Sequence, residues 1–496
     1  MKIITKTGLA VILMVCVYSG AYASGKTMTL SGFANDKVQT PTFDCEGDGI
    51  HRFTYQKSTL GDVGQLKTGK CTLSPGFFIV NREFHLQSRS ETKTQFQNVL
   101  YKINTTTGSI AGNAVLKQKG RIFKLPDGSD GVMNYGVSHA SPPITNQAYI
   151  YTGPRHNGWM GQLQSQYSDL KFSDLVLPGA HDAGMYEMTL KDTQDAVAQL
   201  CGSNVALDAL CKAGVSVGAQ ALENFSITQK DDSATQMDFG TRYFDFRPAY
   251  LKTDSHKTAY HVHNFITGAS FADFLTGVNH FLASNAQEIA VVQIKDSGIQ
   301  ESSFQPLSKA EVKNYLVQYI SSTVGYDLVE DLRPFNDVKL ADLATSGKRL
   351  IVLYGNSNVN DSYSDAAYSQ SLTDATSIIT SLQATIQKTG TYQFTMLQLQ
   401  DTGSSALVKH YVPVILKNPT SWANNLLASG TGNILQATKP LFDQQTYSWL
   451  TTSDALSGIA QQSNMVVLLN DFVEVGLSAH AIGLTIHRYK QRKGVN

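Results

Sequence analysis

The chain has 496 residues, 42% of them hydrophobic and 16% charged, and its 40 Lys and Arg balance 40 Asp and Glu at a formal net charge of zero. Such a length allows about two or three domains with full cores. Neutrality removes the long-range attraction that holding a polyanion needs, so nucleic acid is not an expected partner.

Residues 1–23 carry Lys2 and Lys6, an apolar stretch over 8–18, and Ala21-Tyr22-Ala23 before Ser24. This is the pattern of a secretory signal cut after Ala23, which predicts a secreted or periplasmic mature protein. No later stretch reaches the roughly eighteen unbroken apolar residues of a spanning helix. Cys45, Cys71, Cys201 and Cys211 remain after cleavage. An even count in an exported chain favours disulfides, and Cys45 with Cys71 and Cys201 with Cys211 are the economical pairs. Neither CxxC nor HExxH occurs, so cysteine-based zinc is not expected.

Over 24–150 the chain is rich in Thr, Ser, Gly and Asn, with short alternating runs punctuated by turn residues. That texture predicts a small all-β domain, closed by a linker over 138–145 that contains Pro142-Pro143. From 151 to 496 apolar strands alternate with helical patterns. Strands are expected at 174–177, 242–247, 260–263, 289–294, 350–354, 394–399 and 465–470, and helices at 271–284, 309–321, 372–387 and 422–435. The alternation predicts an α/β fold, most simply a TIM-type β/α barrel. Only seven strands stand where a closed barrel has eight, so the barrel is expected to be irregular or open. Residues 195–221, with Cys201 and Cys211, form a helical insertion between the first two strands.

Polar residues gather at the ends of these strands. The run SDLVLPGAHDAG reads as a buried strand stopped by Pro178-Gly179, after which His181 and Asp182 stand where parallel barrels keep their active sites. Alternation in the second strand puts Tyr243, Asp245 and Arg247 on one face, and in the third it pairs His261 with His263. Lys295-Asp296, Gln400-Asp401 and Asn470-Asp471 end three further strands.

LVLPGAHDAG, QMDFGTRYFDFR, YHVHN with FADFLTGVNHFLASNAQEIAVVQIK, and MVVLLNDF together resemble the phosphatidylinositol-specific phospholipase C X-domain family, over roughly 159–473. The resemblance implies a phosphodiesterase that cleaves an inositol phospholipid to diacylglycerol and a cyclic inositol phosphate. It makes His181 the general base, His263 the general acid and Arg247 the cation on the phosphate. Asp471 would orient His181, and Asp182 would partner the acid histidine. Calcium-dependent members carry an acidic residue where Arg247 stands, so the Asp245-x-Arg247 pattern implies the metal-independent type, with neither metal nor other cofactor. Asp245 and Lys295, and on looser alignment Tyr354 and Asp401, would line the substrate pocket. The chemistry is coherent: two imidazoles titrating near neutrality can exchange roles as base and acid, and a guanidinium can neutralise phosphate oxygens.

His261 remains the alternative acid, since Asn264 stands after His263 where the family usually has glycine. Arg242 reads as a structural arginine. The substrate is a lipid in a bilayer met at a transient membrane contact, a soluble diester, or a glycosyl-phosphatidylinositol anchor. Two other functions stay open: a secreted binding or adhesion protein with a non-catalytic barrel, and a metal-dependent glycerophosphodiester or sphingomyelinase D-type phosphodiesterase.

Overall fold

The computed structural model describes residues 146–188, 226–402 and 434–495, apart from 265, 300 and 301. Before residue 146 it describes the strand segments named below and a few residues near them. The signal-like segment, the insertion at 195–221 with Cys201 and Cys211, and nearly all of the helix expected at 422–435 lie outside the described residues.

Eight parallel strands form one sheet: β1 (Val176–Ala180), β2 (Tyr243–Phe246), β3 (Ala290–Ile294), β4 (Tyr326–Val329), β5 (Leu350–Tyr354), β6 (Asn360–Asp361), β7 (Phe394–Gln398) and β8 (Met465–Asn470). Their order is β4-β5-β3-β2-β1-β8-β7-β6, and among the described residues no ladder joins β4 to β6. The barrel is therefore open, as expected, although it has eight strands and not the seven read from the sequence. Alternation divides each strand between two cores. Leu177, Tyr243, Val291, Ile351, Met396 and Val467 fill the concave face, while Val176, Phe244, Val292, Val352, Leu397 and Leu468 pack outward against helices.

The helix α1 (Phe271–Ser284) shows how local sequence supports that packing. Ser270 caps it by accepting from the Asp273 N–H at 3.0 Å, a contact whose loss costs about 1 kcal/mol. Phe271, Phe274, Leu275, Val278, Phe281 and Leu282 recur at helical spacing and are buried. The helices α2 (Lys309–Tyr319), α3 (Thr376–Ile386) and α4 (Ile434–Leu450) also pack against the outer core. The chain closes with α5 (Val475–Lys493). Arg488 is fully buried on α5 and donates to Leu175 O at 2.9 Å and Asn464 O at 2.8 Å. It thus ties together the starts of β1 and β8.

The expected strand at 260–263 is not part of the barrel. Ala259–His263 pairs antiparallel with Pro248–Leu251 and Ile266–Ser270 in a separate four-stranded sheet. The connection over 252–258 is long enough for a hairpin but not for a parallel crossover, which needs about a dozen residues or more. The two barrel strands the sequence did not announce, β4 and β6, are the edges. One is half-buried and the other is the polar pair Asn360–Asp361, so neither shows an apolar run.

Two five-stranded sheets precede the barrel. One is ordered Leu66–Thr72, Thr27–Ala34, Asn146–Pro154, Asp130–Ser138, Arg121–Lys124; the other is Gly49–Arg52, Gln39–Cys45, Ile79–Ser88, Val99–Asn104, Ile110–Ala111. Residue 150, the boundary drawn from composition, falls inside Asn146–Pro154, at the centre of the first sheet. Its central run Ala148-Tyr149-Ile150-Tyr151 is apolar, as barrel strands are, so composition alone puts the change of texture too early. Phe33, Val132, Tyr149 and Tyr151 join the same core as the barrel's outer face. Cys45 and Cys71 lie on strands of different sheets, and their side chains are outside the described residues.

Candidate active site

The carboxyl ends of β1, β2, β3 and β8 meet at one mouth of the sheet. Ala180 stands opposite Asn470 in register, so the next residue of each strand, His181 and Asp471, emerges side by side. His181 Nδ1 lies 2.8 Å from Asp471 Oδ1. The turn after β1 is stitched down on both sides: His181 N donates to Asn470 O at 3.1 Å and Ala183 N to Asp245 O at 2.9 Å. Within it Asp182 adopts φ +42°, a left-handed conformation that aspartate tolerates better than most residues. The turn thereby aims a fully buried carboxylate into the centre of the site.

Arg247 and the three imidazoles of the site face that carboxylate. Asp182 Oδ1 is 3.1 Å from Arg247 Nη2 and 3.3 Å from His261 Nε2, and its Oδ2 is 3.4 Å from His181 Nε2 and 3.9 Å from His263 Nδ1. Arg247 Nη2 also lies 3.1 Å from Asp245 Oδ2, which Lys295 Nζ approaches at 3.2 Å. Close packing leaves no room for a side chain at Gly298: a Cβ there would stand 2.5 Å from Arg247 Nη1, and φ is +78°.

These contacts set the protonation states. Burial opposes the charged forms throughout, yet Asp182 is held well below the usual carboxylate range by Arg247, His181 and His263, and Asp245 is lowered by Arg247 and Lys295. For His181 burial is outweighed by Asp182 and Asp471, so its pKa is raised. Burial wins at Asp471, whose carboxyl is pushed up despite His181. It also wins at His261, which is lowered, and at His263, lowered to about 4.

The two candidate acids differ in access. His261 is fully buried, stacked edge-on against Phe246 at 4.8 Å, and its Nδ1 accepts from the Arg247 N–H at 3.3 Å. That bond leaves its proton on Nε2, facing Asp182. The side chain of His263 is 35% exposed at the rim, so only His263 can reach a group arriving from solvent. Asp182 stands nearer to His261 than to His263 and serves all three imidazoles, rather than one acid histidine as the resemblance implied.

Seven of the nine residues singled out from sequence come together here: His181, Asp182, Asp245, Arg247, His263, Lys295 and Asp471. The other two do not face Arg247. Tyr354 packs against the outer core and donates to Leu307 O at 3.0 Å, because it follows the inward Leu353 by one position and strand alternation turns it outward. Asp401 is buried in a small cavity with Asp471, Asn470 and, from α4, Lys439 and Asp443. It therefore borders Asp471 on the helix side. Arg242 is structural: fully buried, it donates to Glu288 Oε2 at 2.9 and 2.6 Å.

Sequence reasoning missed two groups at the mouth. Tyr363 is 38% exposed, donates to Asp365 at 2.6 Å and acts electrostatically on Arg247. Asp361 accepts both ways from Gln398 Nε2, at 2.9 and 3.0 Å. Both stand in or just after the short edge strand β6, where no periodic pattern flags them.

His181, Asp182 and Asp245 offer ligand atoms within 4.8 Å of one another, the spacing of a metal site. The donor set does not suit one. A divalent cation of the calcium type takes six to eight oxygens, whereas here the Arg247 guanidinium already lies at 3.1 Å from both carboxylates and Lys295 adds a second positive charge.

Fold and site together define an open α/β barrel with an imidazole, carboxylate and guanidinium centre at the carboxyl ends of its strands. Its relatives by sequence narrow that class. PI-PLC X domain-containing protein 1 of Homo sapiens is 28% identical over 197 residues, 40% of this chain and 56% of the human protein. PI-PLC X domain-containing protein 2 of Homo sapiens is 28% identical over 136 residues, 26% of this chain and 40% of that protein. By these matches the chain is related to the phosphatidylinositol-specific phospholipase C X-domain family. It spans about half the length of the curated relatives it matches. No family model matches the chain. The phosphatidylinositol-specific phospholipase C of Listeria monocytogenes superposes at TM-score 0.37 and 13% identity, covering 66% of this chain and 98% of that one, a likeness too low to carry an argument about the site.

Proposed function

We propose that the protein is an exported, metal-independent phosphodiesterase that cleaves an inositol phospholipid to diacylglycerol and a cyclic inositol phosphate. The observation that carries this reading is the shared environment of Asp182, with His181, His263 and Arg247 all within 3.9 Å of its two oxygens. Acid, base and cation thus surround one spot at a barrel mouth.

In this reading His181 Nε2 takes the proton of the inositol 2-hydroxyl while Nδ1 stays on Asp471. The freed oxygen attacks phosphorus, the bond to the glycerol oxygen breaks, and His263 gives its proton to that oxygen. Arg247 stabilises the charge gathering on the non-bridging oxygens, and Lys295 holds Asp245 and the guanidinium in place. In the free protein His263 is neutral near pH 7. An arriving phosphodiester anion beside it favours the imidazolium, so the acid is loaded by the substrate it serves. Export rests on the signal-like residues 1–23, and the lipid substrate on the family relationship.

The test is release of water-soluble inositol phosphate from phosphatidylinositol in phosphatidylcholine vesicles, with and without a chelator. Turnover that survives the chelator supports the proposal. Turnover that needs a divalent cation, or none in a folded protein, refutes it.

A further inference from the structure

Four consecutive residues outside the site connect it to the first N-terminal sheet. Gln229 is 1% exposed, and its amide meets both strand ends that carry the His181–Asp471 pair. Its Nε2 donates to His181 O at 2.9 Å and to Asn470 O at 3.2 Å, and its Oε1 accepts from the Val473 N–H at 3.0 Å. Thr228 repeats the pattern. Its hydroxyl donates toward Asp182 O at 3.1 Å and its carbonyl accepts from the Phe472 N–H at 2.6 Å. Asp182 and Phe472 both have positive φ, +42° and +46°, so Thr228 and Gln229 satisfy the backbone of two left-handed turns at once.

The next two residues point the other way. The buried Lys230 ammonium donates to the Tyr135 carbonyl and lies 5.4 Å from the Tyr149 ring centre. Asp231 accepts from the Gly120 N–H at 2.8 Å. Tyr135 and Tyr149 belong to the first N-terminal sheet.

We propose that Thr228–Gln229–Lys230–Asp231 is a positioning brace, in which Gln229 fixes the separation of the His181 and Asp471 turns and Lys230 and Asp231 anchor the brace to the N-terminal sheet. That sheet is then part of the reacting unit and not a detachable module. The brace rests on the proposed function only where it speaks of turnover; the geometry it controls exists without it. Holding reacting groups within a fraction of an ångström is worth large factors in rate, about 100-fold for a displacement near 1 Å.

The experiment uses the full chain with Gln229→Met and Lys230→Met. On phosphatidylinositol in phosphatidylcholine vesicles, Gln229→Met should lower kcat by about 10- to 100-fold with KM nearly unchanged. His181 faces Asp471 just after β8, Asp182 in its own turn, Asp245 from β2 and His263 from the antiparallel hairpin. Loosening it from Asp471 removes part of the negative field that favours its protonated form, so the acidic limb of the rate profile should move to lower pH. Lys230→Met should produce the same changes in smaller measure. The second readout is the imidazole titration of His181 by NMR, assigned through its loss in His181→Gln; in Gln229→Met it should move to lower pH. If the wild type does not turn over phosphatidylinositol, the proposed function fails and the brace is judged on this titration alone. A folded Gln229→Met with wild-type kcat or titration overturns the brace, and an unaffected Lys230→Met overturns its anchoring to the sheet. Should Gln229→Met not fold, Thr228→Val takes its place with the same criteria.

Discussion

His181 and Asp471 stand 290 positions apart in the chain, yet their Nδ1 and Oδ1 atoms lie 2.8 Å apart. The cause is the register of two neighbouring parallel strands, which sets Ala180 against Asn470 and brings the following residues out together. A base oriented this way needs no mobile element to assemble it. The pair also keeps one ring nitrogen occupied, which leaves the other to face Asp182 at 3.4 Å and, in the proposed reaction, the substrate hydroxyl.

The first prediction concerns pH. Because the neighbouring carboxylates raise the His181 pKa, a base works only when unprotonated, and in the proposed reaction His263 is protonated beside bound substrate, the acidic limb of kcat should lie above the ordinary histidine value of about 6.5. Asp471→Asn should shift that limb to lower pH and reduce kcat. A limb that stays in place would assign it to another group.

Arg247 supplies the second. Arg247→Met removes the guanidinium from between Asp182 and Asp245 and should lower kcat by about 10²- to 10³-fold, the usual effect of losing one transition-state charge stabiliser. Calcium added to the variant should not restore activity. Restoration in a calcium titration would mean that the two carboxylates do form a metal site.

His263 and His261 can be told apart by leaving group. His263→Ala should cost about 10²- to 10⁴-fold on phosphatidylinositol. The cost should be much smaller on an inositol phosphodiester with a p-nitrophenyl leaving group, which departs without a proton. His261→Ala, which removes the acceptor of the Arg247 N–H, should show no such dependence. Equal losses on both substrates for His263→Ala would exclude it as the acid.

The buried ion pair behind the site makes the fourth. Lys439 Nζ lies 2.8 Å from Asp443 Oδ2, and each side chain is 1% exposed. Asp443 in turn accepts from Tyr151 Oη at 2.7 Å and from Asn470 Nδ2 at 2.9 Å. Lys439→Met leaves an uncompensated buried carboxylate and should destabilise the protein by about 3–5 kcal/mol in denaturant unfolding. A change below about 1 kcal/mol would show that the carboxylate is neutral or otherwise compensated.

Much of the barrel was legible because its strands are short apolar runs ending in polar residues, and α1 was placed at its observed bounds by its apolar spacing. The edge strands β4 and β6 were not, since a half-buried or polar edge has no continuous apolar run to read. The hairpin around His261 and His263 reads as a barrel strand in the sequence because alternation looks the same in parallel and antiparallel sheets. Tyr354, which the family resemblance puts in the pocket on looser alignment, follows the inward Leu353 by one position, which is enough to turn its side chain to the outer face.

From the residues alone came the barrel class, the strand ends as the place of chemistry, and a set of imidazoles, carboxylates and an arginine with the right acid and base capacities. Those follow from local pattern and intrinsic pKa, which a chain carries wherever it folds. Only the tertiary structure decided that Asp182 is the common partner of three histidines and Arg247, that His263 and not His261 meets solvent, and that Gln229 bridges the two strand ends. Such facts depend on register, burial and contacts between segments tens to hundreds of positions apart, for which local sequence has no signal.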